Sequence, residues 1–197
     1  MKYEITSYNT KRMLAESLKK LLCRRPLSKV TVSEIVADCK VNRKTFYYHF
    51  EDLYSLLKWM LEQEAIEVVR NMDLIIDYEE AILFVLDYVE ENYKMLSNIC
   101  GSVGQDELKR FFYADFIGIC RTLIYRIEEF EHLSVNEEFK EFLSKFYTEG
   151  ITGILLDFIQ HREELDRQKV VDYISLLIHT SIKSVLQTAA EGRSPDL

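Results

Sequence analysis

A chain of 197 residues, 48% apolar and 12% aromatic, has ample material for a core, which excludes extended disorder. Six glycines and two prolines supply few tight turns, so long helices are expected and a turn-rich sheet is not. The net charge of −8 argues at first against a polyanionic partner, and four dispersed cysteines with no C-x-x-C pair argue against structural zinc and a disulfide framework.

In chain order, Leu14, Leu18, Leu21 and Leu22 recur at helical spacing from about Ser7. That helix stops before Arg25-Pro26, because proline pushes the preceding residue out of the α region. A second helix begins at Thr31, which with Glu34 has capping-box spacing, buries Ile35 and Val36, and ends near Cys39. Lys40-Val41-Asn42 is a short turn, and Asn42 is an N-cap for a third helix over Arg43–Phe50. This is the layout of a helix-turn-helix. From Leu53 the chain reads as long helices: one running past Arg70, one over Glu79–Asn92, a looser stretch to Gly101 and Gly104, then Gln105–Glu131, Asn136–Gln160 and Arg167–Ala189, with a frayed tail from Glu191. The fold class is therefore all-α, divided into a helix-turn-helix domain over 1–52 and a helical body over 53–197. No internal repeat is present, no apolar run reaches the ~18 residues of a membrane span, and the first residues carry no apolar leader, so the cytoplasm is the default compartment.

The distribution of charge reverses its first reading. Residues 1–50 hold eleven Lys/Arg against four Asp/Glu, a balance of +7, which leaves 14 Lys/Arg against 29 Asp/Glu, or −15, for the remainder. A basic head on an acidic body is expected where only the head meets phosphate. Around the third helix, at ~100° per residue, Phe46 and Phe50 define the buried stripe. The opposite face centres on Tyr48, with Lys44 and Thr45 beside it and Tyr47 and His49 on the flanks. In a major groove the centre of a helix meets base edges and its flanks meet the phosphate walls. Lys44, Thr45 and Tyr48 are thus candidates for base contact, Tyr47 and His49 for phosphate, and Arg43 for either. The helix starts at Thr31 and Asn42 present amides to anions, Thr31 and Ser33 add hydroxyls, and Lys2, Lys11 and Arg12 add unspecific attraction.

The segment Ile35–Leu57, and above all Thr45-Phe46-Tyr47-Tyr48-His49-Phe50, resembles the signature of the TetR/AcrR family of transcriptional regulators. The run Phe50–Trp59 is similar to the subgroup that includes the dihydroxyacetone kinase operon activator. The resemblance implies a homodimer reading a palindromic site in double-stranded DNA, contacts through Thr45, Tyr47, Tyr48 and His49, and a pocket in the body whose small-molecule or protein effector alters the separation of the heads. Two departures stand out. Lys40 occupies a turn position usually held by glycine, which implies left-handed strain, and Leu53 stands where many members carry a phosphate-binding lysine.

In the body, the two last long helices are the dimer candidates, through Phe146, Gly150, Gly153, Ile154, Ile174, Ile178 and Ile182. The two glycines suit close approach across a two-fold axis, or else tight packing or a kink within one protomer. Trp59, Tyr88, Tyr113, Phe116, Cys120, Tyr125 and Tyr147 are candidates for lining a cavity, although plain core is the commoner role for each. His132, His161 and His179 lack metal-ligand spacing, and Cys100 or Cys120 could sense redox state only if exposed with a lowered pKa. The expectation is no metal, cofactor or catalytic residue: nucleotide, hydrolase and metalloprotease motifs are missing, and carboxylate runs such as Glu128-Glu129 and Glu163-Glu164 read as solvated faces. The alternative to a DNA-binding regulator is a module that kept the fold and works through a partner protein.

Overall fold

The computed structural model describes residues 2–73, 78–161 and 166–192, with side chains from Thr6 onward; among them every regular element is helical. In order these are α1 (Lys2–Leu22), a 3-10 turn (Leu27–Lys29), α2 (Val32–Asp38), α3 (Arg43–His49), α4 (Leu53–Leu61), a π-turn (Glu62–Ile66) and α5 (Glu67–Arg70). Then follow α6 (Tyr78–Glu91), α7 (Tyr93–Val103), α8 (Gln105–Phe130), α9 (Glu137–Gln160), α10 (Arg167–Leu177), a second π-turn (Ile178–Ile182) and α11 (Lys183–Ala190). The chain forms two compact units. One comprises Met1–Val68 with Val89–Leu108, the other Val69–Tyr88 with Lys109–Leu197.

In the first unit α1 is the central post, packed on α2, α3, α4 and α7. Leu14, Leu18 and Leu22 of α1 are fully buried, as are Ile35, Phe46 and Leu56 from three of its neighbours. The start of α2 is a complete capping box: Thr31 Oγ1 accepts the Glu34 N–H at 3.4 Å, and the Glu34 carboxylate accepts the Thr31 N–H at 3.0 Å. Lys40 has φ +53°, so the turn takes the left-handed conformation without glycine.

The stretch read as loose between Asn92 and Gly104 is a helix, α7. Asn92, Ser97, Asn98 and Gly101 are weak helix formers, and they masked a short apolar face. That face, Met95, Leu96 and Ile99, is buried, and tertiary packing supplies what local propensity lacks. Asn98 also donates its side-chain amide to the Leu22 carbonyl at 2.8 Å, satisfying an orphan acceptor at the end of α1. Gly104, at φ +83°, ends the helix.

The second unit has a core of Leu123, Ile124, Val135, Leu143, Ile182 and Leu186. Glu128, expected on a solvated face, lies at its edge and accepts from the Val135 N–H at 2.9 Å and from Lys140 Nζ at 2.8 Å. The Lys140 ammonium sits 4.4 Å from the centre of the Tyr125 ring, and only 9% of its side chain is exposed. Burial alone would raise the Glu128 carboxyl, but the Lys140 ammonium and the Val135 N–H outweigh it and hold the group below its ordinary value. Glu129 is exposed as expected, whereas Glu163-Glu164 and the tail beyond Gly192 lie outside the described residues.

Candidate nucleic-acid interface

The recognition helix is amphipathic as its spacing requires. Phe46 is fully buried and Phe50, its C-cap, is 6% exposed, while Tyr47 and Tyr48 are 55% and 66% exposed. Arg43 and Lys44 are exposed on the same short helix, and Thr45 is half-buried. Asn42 caps it by accepting the Thr45 N–H at 2.9 Å, and it also accepts the Thr45 hydroxyl at 3.1 Å. Two of the proposed DNA contacts are therefore bound to each other in the free protein. Thr31 is similarly engaged, since its hydroxyl donates to the Glu34 carboxylate at 2.8 Å, and Glu34 is held in turn by Arg25 at 2.5 Å. Ser33 is exposed in the first turn of α2.

His49 closes the helix on its α1 side. Its Nδ1 lies 3.5 Å from Ser7 Oγ, and burial, with the nearby Lys11 charge, pushes the imidazole below its ordinary value. Lys11 itself rests 5.7 Å and 5.8 Å from the ring centres of Phe50 and Trp59. Trp59 packs edge-on against Tyr8 and Phe50, at 5.8 Å and 5.9 Å between centroids. This aromatic brace behind the recognition helix went unread in the sequence, where Trp59 was a pocket candidate; a tryptophan in α4 carries no sign of which neighbour it faces. Arg12 is ion-paired with Glu16 at 3.3 Å, and the Lys2 side chain lies outside the described residues.

The second unit contains a cavity of about 100 Å³. Phe116 and Cys120 are on its wall, but Tyr88, Tyr113, Tyr125 and Tyr147 are not, and Trp59 belongs to the first unit. Tyr125 and Tyr147 pack instead on the neighbouring core, with their hydroxyls bound to Glu137 and, at 2.7 Å, to Ser181. These two phenols find partners for their hydroxyls away from the cavity, whose wall is mostly aliphatic, with Ile82, Val85 and Ile119 beside Tyr78 and Phe116. Ile154, Ile174 and Ile178, expected at a dimer face, also line this cavity, and Ile182 is buried in the core with 1% exposure. Phe146, Gly150 and Gly153 do face outward on α9. The Cys120 thiol, buried and hydrogen-bonded to Thr148, is pushed up, which is the opposite of a reactive thiolate.

A buried aromatic stripe, an exposed basic and tyrosine-rich face, and a capped turn before it define a helix-turn-helix regulator built entirely of helices. The chain belongs to the TetR family: residues 16–58 match the model of bacterial regulatory proteins of the tetR family, and residues 77–180 match that of a transcriptional regulator C-terminal region. Among its relatives is the HTH-type dhaKLM operon transcriptional activator DhaS of Lactococcus lactis, 22% identical over 158 residues, 80% of this chain and 83% of that one. Among solved structures, a dihydroxyacetone kinase operon activator DhaS shares the fold with a TM-score of 0.71 at 22% identity, covering 89% of this chain and 97% of its own. No helix among the described residues is long and apolar enough to cross a membrane.

Proposed function

We propose that this regulator is a homodimer that reads a palindromic operator through two copies of α3, and that the body responds to a signal. The observation that carries the reading is the face of α3: two tyrosines more than half exposed beside Arg43 and Lys44, on a helix whose other side is fully buried. Lys44, Thr45 and Tyr48 meet base edges, and Tyr47, His49 and the amides above Thr31, Ser33 and Asn42 meet phosphate, with Arg43 serving either. Thr45 is released from Asn42 as it engages DNA. The head over 1–52 supplies these contacts and the body over 53–197 supplies association and sensing. The role is binding rather than catalysis, at the DNA of the cytoplasm.

The second copy is favoured over other partners by α9. Phe142 and Phe146 are 59% and 62% exposed and stacked at 6.4 Å, and they continue into Gly150 and Gly153 on one stripe. A Cβ built at either glycine would meet nothing within 4 Å in this protomer, so packing within the chain does not require them. Close approach of a symmetry-related helix does. On α10, Tyr173, Leu176 and Leu177 extend the apolar surface. Selection of bound sequences from random duplex DNA, repeated at several salt concentrations, tests the reading. It expects a palindromic consensus and a steep salt slope. A folded dimer that enriches no sequence at low salt would favour a module acting through another protein.

A further inference from the structure

We propose that the cavity of the second unit binds a small uncharged hydrocarbon of about the size of benzene, an inference that rests on reading the body as a sensor and names the chemistry of what it senses. The wall is built by α5, α6, α8, α9, α10 and the start of the second π-turn, and among the described residues it holds no charged side chain. Its polar groups are the Tyr78 hydroxyl and the Cys120 thiol, and the thiol is already bonded to Thr148. The volume of about 100 Å³ is of the order that admits a single aromatic ring, and the cavity is partly open, which gives such a ligand a way in.

Other ligand classes fit poorly. A polyol would place several hydroxyls against Ile82, Val85, Ile151 and Val170 without partners, and each stranded hydroxyl costs affinity. An anionic head finds no cation on the wall among the described residues. The cleft sharing the Ile119–Leu123 wall contains Arg70 and Arg126, but these pair with Asp115 at 2.9 Å and Asp73 at 3.0 Å. An unfilled apolar hole lowers stability, and a larger side chain at Ala81 would close it, so keeping it open calls for an occupant.

The test is thermal denaturation of the full chain with benzene as the probe, beside glycerol and hexanoate at equal millimolar concentration. Benzene at about ten times its dissociation constant should raise Tm by roughly 3–6 °C, while the polyol and the carboxylate leave it unchanged. Val85→Phe, which fills the space, should abolish the benzene shift, and Ala81→Leu, a milder filling, reads the same result should the first variant not fold. No shift in the wild-type chain, an equal shift in Ala81→Leu, or an equal shift with hexanoate overturns the proposal. Operator affinity measured with benzene bound separates the two readings: a change supports both, and no change upholds the site while overturning the sensor alone.

Discussion

In the proposed function, the exposed side chains of α3 divide by the part of the duplex each would meet. Tyr47, on the flank, should bind phosphate without regard to sequence, so Tyr47→Ala is expected to weaken binding to all duplexes about equally. Lys44→Ala should relax base preference, by about 1–3 kcal/mol at the base pair it reads. Competition titrations with single-base operator variants distinguish these roles, and unchanged binding by both variants would refute the assignment. His49 adds a pH dependence. Its value in the folded chain lies below the ordinary 6.5, so its contribution to folding is present above that and is lost as pH falls. A DNA phosphate reverses the preference by favouring imidazolium. Operator affinity should therefore rise as pH is lowered from 8 to 6, by at most about tenfold per unit, and His49→Gln should flatten the difference. Around this ring stand Lys11 and Ser7 of α1 and the rings of Tyr48 and Phe50, and none of them is a carboxylate that would hold the proton in the free protein. Local spacing placed Arg43, Lys44, Tyr47 and Tyr48 on an exposed face because Phe46 within the seven-residue helix and Phe50 at its C-cap are buried. The Trp59 brace escaped because its partners, Tyr8 and Lys11, are nearly fifty residues away in the chain.

At the scale of elements, capping chemistry made the boundaries of α2 and α3 readable: Thr31 with Glu34, and Asn42 with Thr45, are local devices whose geometry follows from spacing. The helix α7 was not readable, since its stability comes from contact with α1. The glycines of α9 separate helix propensity from association. Gly150→Ala with Gly153→Ala should stabilise the isolated helix by about 1 kcal/mol at each site while weakening self-association. Analytical ultracentrifugation beside denaturant unfolding reads both effects; a dimer constant that tightens along with helix stability would remove α9 from the interface.

For the whole molecule, the acid side of the stability curve should be set by paired carboxylates. Glu34 held by Arg25, Glu137 by Tyr125, Glu141 by Arg121, and Glu128 by Lys140 against its own burial all lie below their ordinary value of 4.5. Depressed folded values mean that their contribution is complete above about 4.5 and is lost as pH falls through them. The midpoint of denaturation should fall steeply between pH 5 and pH 3, and Lys140→Met, expected to cost about 2 kcal/mol at pH 7, should make that fall shallower. Equal slopes for both proteins would remove the Lys140–Glu128 pair from the account. The division into basic head and acidic body was legible from charge alone. The cavity was not, because periodicity shows that Ile82, Ile119 and Ile174 face inward without showing whether the space between them is filled.

The π-turn at Glu62–Ile66 bears on ancestry. A π-turn holds one residue more than the α-turn it interrupts, which is the trace that a single-codon insertion leaves in a helix. Deleting Gln63 would restore an unbroken hydrogen-bond ladder from α4 into α5 and leave every later side chain of that helix on its present face, because the wide turn already absorbs the extra residue. Val69 would keep its buried face and Val68 its exposed one. A gene can therefore gain or lose one codon at this place and keep the faces of the helix that follows, so the length of the chain here is freer to vary than the pattern of its buried residues.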